Sequence, residues 1–264
     1  MYEFTYHRAT SLDDAQAKLS AGDDATLIAG GMTLIPTLKQ RLAMPSDVVD
    51  LAGVRDLTAL GDTGSAIAIG AMCTHDKVAN SDIVKAQIPA LAELAGLIGD
   101  PMVRNRGTIG GSVANNDPAA DYPAALLALG ATVVTTSREI AADDFFTGMF
   151  ETALEEGEII REIHFPKPKR AAYSKFPNPA SRYAIVGVFV AEMQDEVRVA
   201  VTGAAASVFR HAEMEQALSG NFSADAIGGM KGDAGQMNSD IHASAEYRAH
   251  LVGVMARRAV AAIA

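Results

Sequence analysis

Cysteine, tryptophan and long apolar runs are what this sequence most conspicuously lacks. One cysteine, Cys73, among 264 residues rules out an internal disulfide and a cysteine-ligated iron–sulfur cluster, which needs four thiolates. No apolar stretch reaches the about 18–20 residues that span a bilayer. The opening Met1-Tyr2-Glu3-Phe4-Thr5-Tyr6 has neither the basic start nor the apolar core of a signal peptide, so a cytoplasmic chain is expected. Positive charge is also short: 22 Lys and Arg against 32 Asp and Glu leave a net charge of −10. No basic field exists to draw in a phosphate backbone, which argues against nucleic acid or an anionic membrane as partner. A single bound phosphate ester is still allowed, because backbone N–H groups hold an anion locally whatever the global charge. None of the six histidines lies at metal-ligand spacing from another His or Cys, so no metal site is expected. A Gly-x-Ser-x-Gly elbow is missing too, which removes the main hydrolase signal. What remains, 49% apolar and 20% charged, is an ordinary globular chain long enough for one large domain or two modest ones.

Periodicity outlines the elements. Tyr2, Phe4 and Tyr6 alternate with polar neighbours, suggesting an opening strand. Ser11 reads as the N-cap of a helix carrying Leu12, Ala15 and Leu19 on one face and closed by Gly22. A strand at Thr26 to Ala29 runs into Gly30-Gly31; a second helix follows with Leu34, Leu38 and Leu42 on one face, then a strand at Val48 to Leu51. This β-α-β-α-β order favours a small parallel sheet. Further strands are expected at 66–70, 131–136, 159–165, 183–192 and 196–201, and helices at 89–98, 123–129, 211–218 and about 244–263. Residues 99–107 read as a polar loop, residues 221–240 as an exposed one, and Pro166-Lys167-Pro168-Lys169-Arg170 as a linker.

Two glycine pairs carry the chemical signal: Ala29-Gly30-Gly31-Met32-Thr33-Leu34 and Thr108-Ile109-Gly110-Gly111-Ser112. A diphosphate needs several N–H donors at close range, and a Cβ on the loop holds it off. Thr33 and Ser112 add hydroxyl donors. Each pair taken alone reads more readily as a plain turn, and the presence of two with hydroxyls similarly placed weighs against that reading. Neither is a Rossmann or Walker loop, so a dinucleotide held here needs two loops from different regions closing on it.

The second run continues through Asn115-Asn116-Asp117-Pro118-Ala119-Ala120-Asp121. With A-G-G-x-[ST]-L early and T-I-G-G-[SN]-x-A then D-P-x-x-D later, the sequence resembles the FAD-binding subunits of the molybdenum hydroxylases. That family includes the medium subunit of aerobic carbon monoxide dehydrogenase and the flavin portions of xanthine dehydrogenases. Arg104-Asn105-Arg106-Gly107 and Ala243-Ser244-Ala245-Glu246-Tyr247-Arg248 extend the likeness over nearly the whole chain. The resemblance implies an α+β protein. A two-part FAD-binding domain over 1–168 would have a small parallel part, about 1–53, and a mixed or antiparallel part, 54–168. A C-terminal domain over 171–264, with a small antiparallel sheet and helices, would follow. It implies FAD contacts from Leu27, Ile28, Ala29, Gly30, Gly31, Met32, Thr33 and Leu34, and from Thr108, Ile109, Gly110, Gly111, Ser112 and Asn115. Asp121, Ile160 and Lys175 complete the set, with no catalytic residue and no metal ligand. Many relatives carry an acidic residue where this chain has Arg182, just before Tyr183, the residue that would lie against the flavin ring.

The implied function is electron transfer: the flavin takes electrons from an iron–sulfur partner and passes them to an external acceptor such as a quinone, a cytochrome, NAD or oxygen. The single cysteine requires those clusters to sit on another polypeptide. The implied partners are a large molybdenum-cofactor subunit and a small iron–sulfur subunit, in a dimer of heterotrimers. Overall resemblance favours carbon monoxide as the substrate of the complex, although substrate identity belongs to the molybdenum subunit. The alternatives are a stand-alone flavin oxidoreductase and a cofactor-free scaffold. Asp121 reads equally as a helix N-cap, Cys73 as a small buried hydrophobe, and Arg104 and Arg106 as solvated loop charges.

Overall fold

The computed structural model describes residues 1–263; residue 264, where the expected second domain ends, lies outside the described residues. Strand β1 (Thr5–Arg8) leads into helix α1 (Leu12–Ala21), whose N-cap Ser11 accepts from Asp14 N–H and whose end is Gly22. Strand β2 (Ala25–Ile28), helix α2 (Leu34–Lys39) and strand β3 (Asp47–Asp50) follow. The sheet order is β1-β3-β2, parallel throughout, with Asp47 registered against both Thr5 and Ala25. Val49 on the central strand packs with Ala15, Leu51 and Leu57 in a small core. The opening strand starts later than its Tyr/Phe alternation suggests, because pairing begins where β3 begins. Helix α2 is also shorter than its leucine spacing suggests. Arg41 turns left-handed after it (φ 59°), and Leu42 is 74% exposed rather than on the buried face.

The second part is a five-stranded antiparallel sheet of order β4-β5-β10-β6-β7. Its strands β4 (Leu60–Asp62) and β5 (Ala66–Gly70) precede a run of helices: α3 (His75–Asn80), α4 (Asp82–Gln87), α5 (Pro89–Gly96), α6 (Pro101–Arg106), α7 (Ile109–Asn115) and α8 (Tyr122–Leu129). Then come β6 (Thr132–Thr135), β7 (Glu139–Ala141), the single turn α9 (Ala142–Phe145), and the hairpin β8 (Phe146–Gly148) and β9 (Glu151–Thr152). Last in sequence, β10 (Ile160–Pro166) enters the middle of the sheet between β5 and β6.

Two stretches expected as loops are helical. Asp100 caps α6 by accepting from Val103 N–H, and Pro101 sits in its first turn, where a missing N–H costs nothing. Thr108 caps α7 by accepting from Gly111 N–H, so the second glycine pair forms a first helical turn instead of an open loop.

A four-stranded antiparallel sheet closes the fold: β11 (Arg170–Pro177), β12 (Ala184–Glu192), β13 (Val197–Thr202) and β14 (Phe209–Arg210) in that order. Helices α10 (Ala212–Gly220) and α11 (Ala245–Ala261) complete the chain, with α11 against β11 and β12. Helix α8 lies against β12 and β13, and every residue of it is buried. Covered on both faces, β12 reads as an unbroken apolar run from Ala184 to Ala191. The largest core joins Ile67, Leu126 and Ile163 with Tyr173, Phe189 and Ala200, so packing is continuous across the segment 166–170. Among the described residues no helix is long and apolar enough to cross a membrane.

Arg198 on β13 fastens this junction. Its guanidinium donates to Leu127 O in the last turn of α8 (2.6 Å) and pairs with Asp143 (2.6 Å) and Glu196 (2.8 Å). Replacing it with Met removes a buried charge-assisted bond to a helix C-terminus. The Arg198→Met variant is expected to lose about 1.5–3 kcal/mol, read as a lower urea midpoint.

Candidate functional site

The carboxyl end of β2 opens into a cavity of about 710 Å³, the position where sheets of this kind accept ligands. One wall is the first glycine run. Gly31 has φ +73°, which a side chain resists, and a Cβ on Gly30 would stand 1.9 Å from Arg106 O. The first run therefore lies directly on the backbone that leads into α7. A Cβ on Gly111 would meet Ala29 Cβ at 3.6 Å, so the two glycine runs do come together.

They do not contribute alike. Among the described residues, the N–H groups of Gly30, Gly31, Met32 and Thr33 donate to nothing within the chain, while Gly31 O and Thr33 O are engaged by Ile35 and Thr37. In the second run the amides are spent: Ile109 donates to Cys73 O (3.0 Å), Gly110 to Ala71 O (2.9 Å), Gly111 to Thr108 Oγ1 and Ser112 to Thr108 O. The second glycine pair is small for steric reasons, since a Cβ on Gly110 would lie 2.5 Å from Ala71 Cβ. Two equivalent amide-donating loops, as the sequence suggests, are not what the fold contains. Ser112 and Asn115 offer side-chain donors there instead.

Leu27, Met32, Thr33, Leu34, Thr108, Asp121 and Ile160 also line the cavity. Ile28 packs beneath Gly31, and Ile109 is wholly buried in the core. Lys175 reaches the site only through Asp121: its Nζ donates to Asp121 Oδ2 at 2.9 Å and to Leu97 O at 3.2 Å, with both side chains nearly sealed from solvent. Tyr173 OH donates to the other Asp121 oxygen. Asp121 occupies the N-cap position of α8, yet among the described residues its side chain makes no capping bond; its carboxylate serves Lys175 and Tyr173. Burial pushes this carboxyl above its ordinary range, and Lys175 and Tyr173 pull it back. Arg104 is not a solvated loop charge either, because it donates to Ile98 O and Gly99 O in the connection between α5 and α6.

Several wall residues were not singled out from sequence. Met72 and His75 leave β5 beside the second run, where Thr74 forms a bridge with Thr108. The Thr-His pair at the end of an apolar strand, with Thr74 capping the next helix, was the available signal. His75 is 5% exposed, packs tilted against Tyr122 with ring centroids 5.4 Å apart and, among the described residues, leaves Nδ1 without a partner. Burial, aided by the charge of Arg104, lowers its pKa to about 4. Cys73 is buried, with burial pushing its thiol up, as a small hydrophobe should be. At the rim, Asn178 Oδ1 accepts from Ala180 and Ser181 N–H and holds a turn that brings Arg182 (φ +63°) and Tyr183 to the mouth.

The arrangement suits one elongated ligand: a strip of free amides for an anionic segment and apolar walls from Leu27, Met72, Val103 and Ile160 for a ring. Among the described residues no three His, Cys, Asp or Glu side chains cluster to hold a metal.

Known proteins share this plan. The family described as the FAD binding domain in molybdopterin dehydrogenase matches residues 2–168, and the CO dehydrogenase flavoprotein C-terminal domain matches residues 171–263. The nicotine 6-hydroxylase medium subunit of Paenarthrobacter nicotinovorans is 37% identical, over 97% of this chain and 95% of its own length. The carbon monoxide dehydrogenase medium chain of Afipia carboxidovorans is 36% identical over 97% and 95%. In the solved carbon monoxide dehydrogenase from Hydrogenophaga pseudoflava, one chain superposes with a TM-score of 0.90 at 36% identity, covering 98% of this chain and 96% of that one.

Two buried groups give measurable consequences. Lys175→Met strands the Asp121 carboxylate and should cost about 3–5 kcal/mol near neutral pH. With that carboxyl raised further, the loss is smallest below the ordinary value of 3.8 and grows as pH rises from there through the shifted one, checked by urea unfolding across pH. For His75 the sign is opposite. The stability of its neutral ring is complete above about 6.5 and disappears as pH falls toward about 4. A His75→Phe variant should therefore show a flatter fall in urea midpoint than wild type between those pH values.

Proposed function

Because the chain belongs to the FAD-binding subunits of the molybdenum hydroxylases, we propose that the cavity between its two glycine runs holds FAD and that the protein relays electrons within a larger complex. The residues present fit the group. Free N–H groups on Gly30 through Thr33 suit a diphosphate, and the missing Cβ at Gly30 lets the first run seat on the Arg106–Gly107 backbone that leads into the second. Met32, Thr33, Leu34, Ser112 and Asn115 line the same stretch, and Leu27, Ala29 and Ile160 supply apolar wall. Ile28, Ile109, Gly110 and Gly111 act by shaping the runs, and Thr108 by capping α7. Asp121, with Lys175 behind it, presents a fixed carboxylate to the cavity.

FAD supplies a ring that accepts electrons singly and releases one or two. The chain's own part is to bind and orient that ring, to shield it with Tyr183 and Ile160, and to keep bulk water from its inner face. One cysteine cannot ligate a cluster, so electrons must arrive from another polypeptide. A large molybdenum-cofactor subunit and a small iron–sulfur subunit, assembled as a dimer of heterotrimers, complete the proposal. We assign residues 1–168 to cofactor binding and 171–264 to a C-terminal domain whose sheet supplies Lys175 and the Tyr183 turn. The similar relatives carry names for different substrates, nicotine and carbon monoxide, at nearly equal identity. Nothing in this chain therefore singles out carbon monoxide.

The observation that carries this reading is the row of unengaged amides on the first run beside a cavity of dinucleotide scale. The purified chain should be yellow and carry one FAD. Gly30→Val should weaken FAD binding by about tenfold or more, measured by flavin fluorescence quenching. In the assembled complex the flavin absorbance should bleach when the substrate of the large subunit is added. A flavin that stays oxidised while substrate is consumed would exclude the relay role, and a chain that turns over a small molecule alone would favour the stand-alone oxidoreductase.

A further inference from the structure

The cavity wall beside the second glycine run holds a polar side chain that the fold itself does not use. His75 is nearly buried and lines that wall. Its backbone is fixed, because His75 N–H donates to Gly107 O (3.0 Å) and the preceding Thr74 pairs with Thr108. Tyr122 packs behind the imidazole, its plane tilted by 43°. Nδ1 is sealed and has no partner, and among the described residues Nε2 enters no hydrogen bond of the chain either.

The Nε2–Cδ2 edge of the ring lies against Gly107, which belongs to the same wall. A Cβ at Gly107 would stand 2.6 Å from Nε2 and 2.8 Å from Cδ2, so only glycine lets the imidazole come this close. Gly107 also meets the first run, since a Cβ on Gly30 would stand 2.9 Å from Gly107 Cα. Gly30 opens the strip of unengaged amides. The two segments that carry His75 and Gly107 also carry Met72 and Val103, members of the apolar wall. The imidazole thus stands where the amide strip meets the ring wall.

Packing alone does not call for a histidine here. Leucine or phenylalanine would fill the space without burying nitrogens that pair with nothing, and an unpaired buried polar group is costly. A sealed N–H without an acceptor is the worse orphan, so the bare nitrogen belongs at Nδ1 and the proton at Nε2. Burial and the charge of Arg104 keep the ring neutral near pH 7, so it brings no charge for a diphosphate to seek. What suits it is an uncharged oxygen. In FAD the diphosphate and the ring are joined by a polyol, whose hydroxyls accept as well as donate.

We propose that His75 touches the cofactor, its Nε2–H donating to a hydroxyl of the polyol that joins diphosphate and ring. The contact rests on the flavin reading above and deepens it by fixing where along the cavity the middle of the cofactor lies.

Binding to the full chain, read by flavin fluorescence and by competition against FAD, separates the parts of the ligand. ADP carries the diphosphate and lumiflavin the ring, and neither has the polyol; riboflavin has ring and polyol without the diphosphate. His75→Leu should weaken FAD and riboflavin about tenfold and leave ADP and lumiflavin unchanged. His75→Gln, whose amide reaches the Nε2 position, should recover most of the loss, whereas His75→Asn, with its amide at the level of Nδ1, should not. The urea midpoint of His75→Leu near neutral pH should not fall below wild type, which separates lost affinity from lost folding. A yellow chain in which His75→Leu holds FAD as tightly as wild type, or loses ADP as much as riboflavin, overturns the contact and leaves the flavin reading intact. Gln and Leu variants that weaken FAD equally reduce His75 to packing and overturn the contact too. A wild-type chain that takes up neither FAD nor riboflavin overturns the flavin reading, and the contact with it.

Discussion

The close seating of Gly30 on the carbonyl of Arg106 is the contact on which the functional part of the structure depends. It brings the edge of a parallel three-stranded sheet against the start of α7, which belongs to the antiparallel half. The cavity exists because these two backbones approach more closely than any side chain permits. Gly31 then turns left-handed, and the chain leaves four amides without acceptors beside the gap. A polar group left unpaired in a partly enclosed place is costly, and a ligand that paired this strip would remove that cost. The second run answers differently. Its amides hold α7 to the segment after β5 through Ala71 and Cys73, which makes it the rigid floor of the cavity, with Ser112 and Asn115 in the wall.

The buried Asp121–Lys175–Tyr173 cluster couples this floor to the last sheet. Asp121 stands at the start of the fully buried α8, and its partners come from β11. Lys175 also takes Leu97 O at the end of α5, so one ammonium fixes three elements that meet at the cavity. Arg198 does the same at the other end of α8. The helix is thus pinned at both ends by cations from the C-terminal sheet, while its flanks are apolar. This explains why a segment beyond the 166–170 linker helps to set a site whose glycines are all in the first half of the chain. It also places the Tyr183 turn, which follows β11, at the mouth of the cavity.

Much of this was legible in the residues. The β-α-β-α-β opening gave the parallel sheet, Ser11 and Gly22 bounded α1, and residues 183–192 read as a strand, although that both its faces are covered emerged only in the fold. The family resemblance was carried by two glycine motifs and the D-P-x-x-D that follows, and the comparisons agree with it. Misjudged segments share a physical cause. Around 100–115 glycines and charged residues read as loop, yet Asp100 and Thr108 are caps, and capped helices of six or seven residues show too few turns for periodicity to register. Leu42 kept helical spacing after the helix had ended, because what stopped it was a left-handed Arg41 that no residue pattern marks.

By itself the sequence determined the class of the protein, the order of the elements in its opening parallel sheet and which short runs were free of side-chain bulk. It also determined that no iron–sulfur cluster can be ligated by this chain, since that follows from counting thiols. Only the tertiary structure decided, among the described residues, which glycine amides remain free, that the Asp121 side chain is an ion-pair partner although the residue stands at an N-cap position, and that His75 and Arg248 are buried with unpaired nitrogens. The reason is that a donor or acceptor is spent by whatever lies opposite it. For Gly110, Asp121 and Arg248 that neighbour is about 39 to 63 residues away in the chain, a separation at which folding alone fixes the pairing.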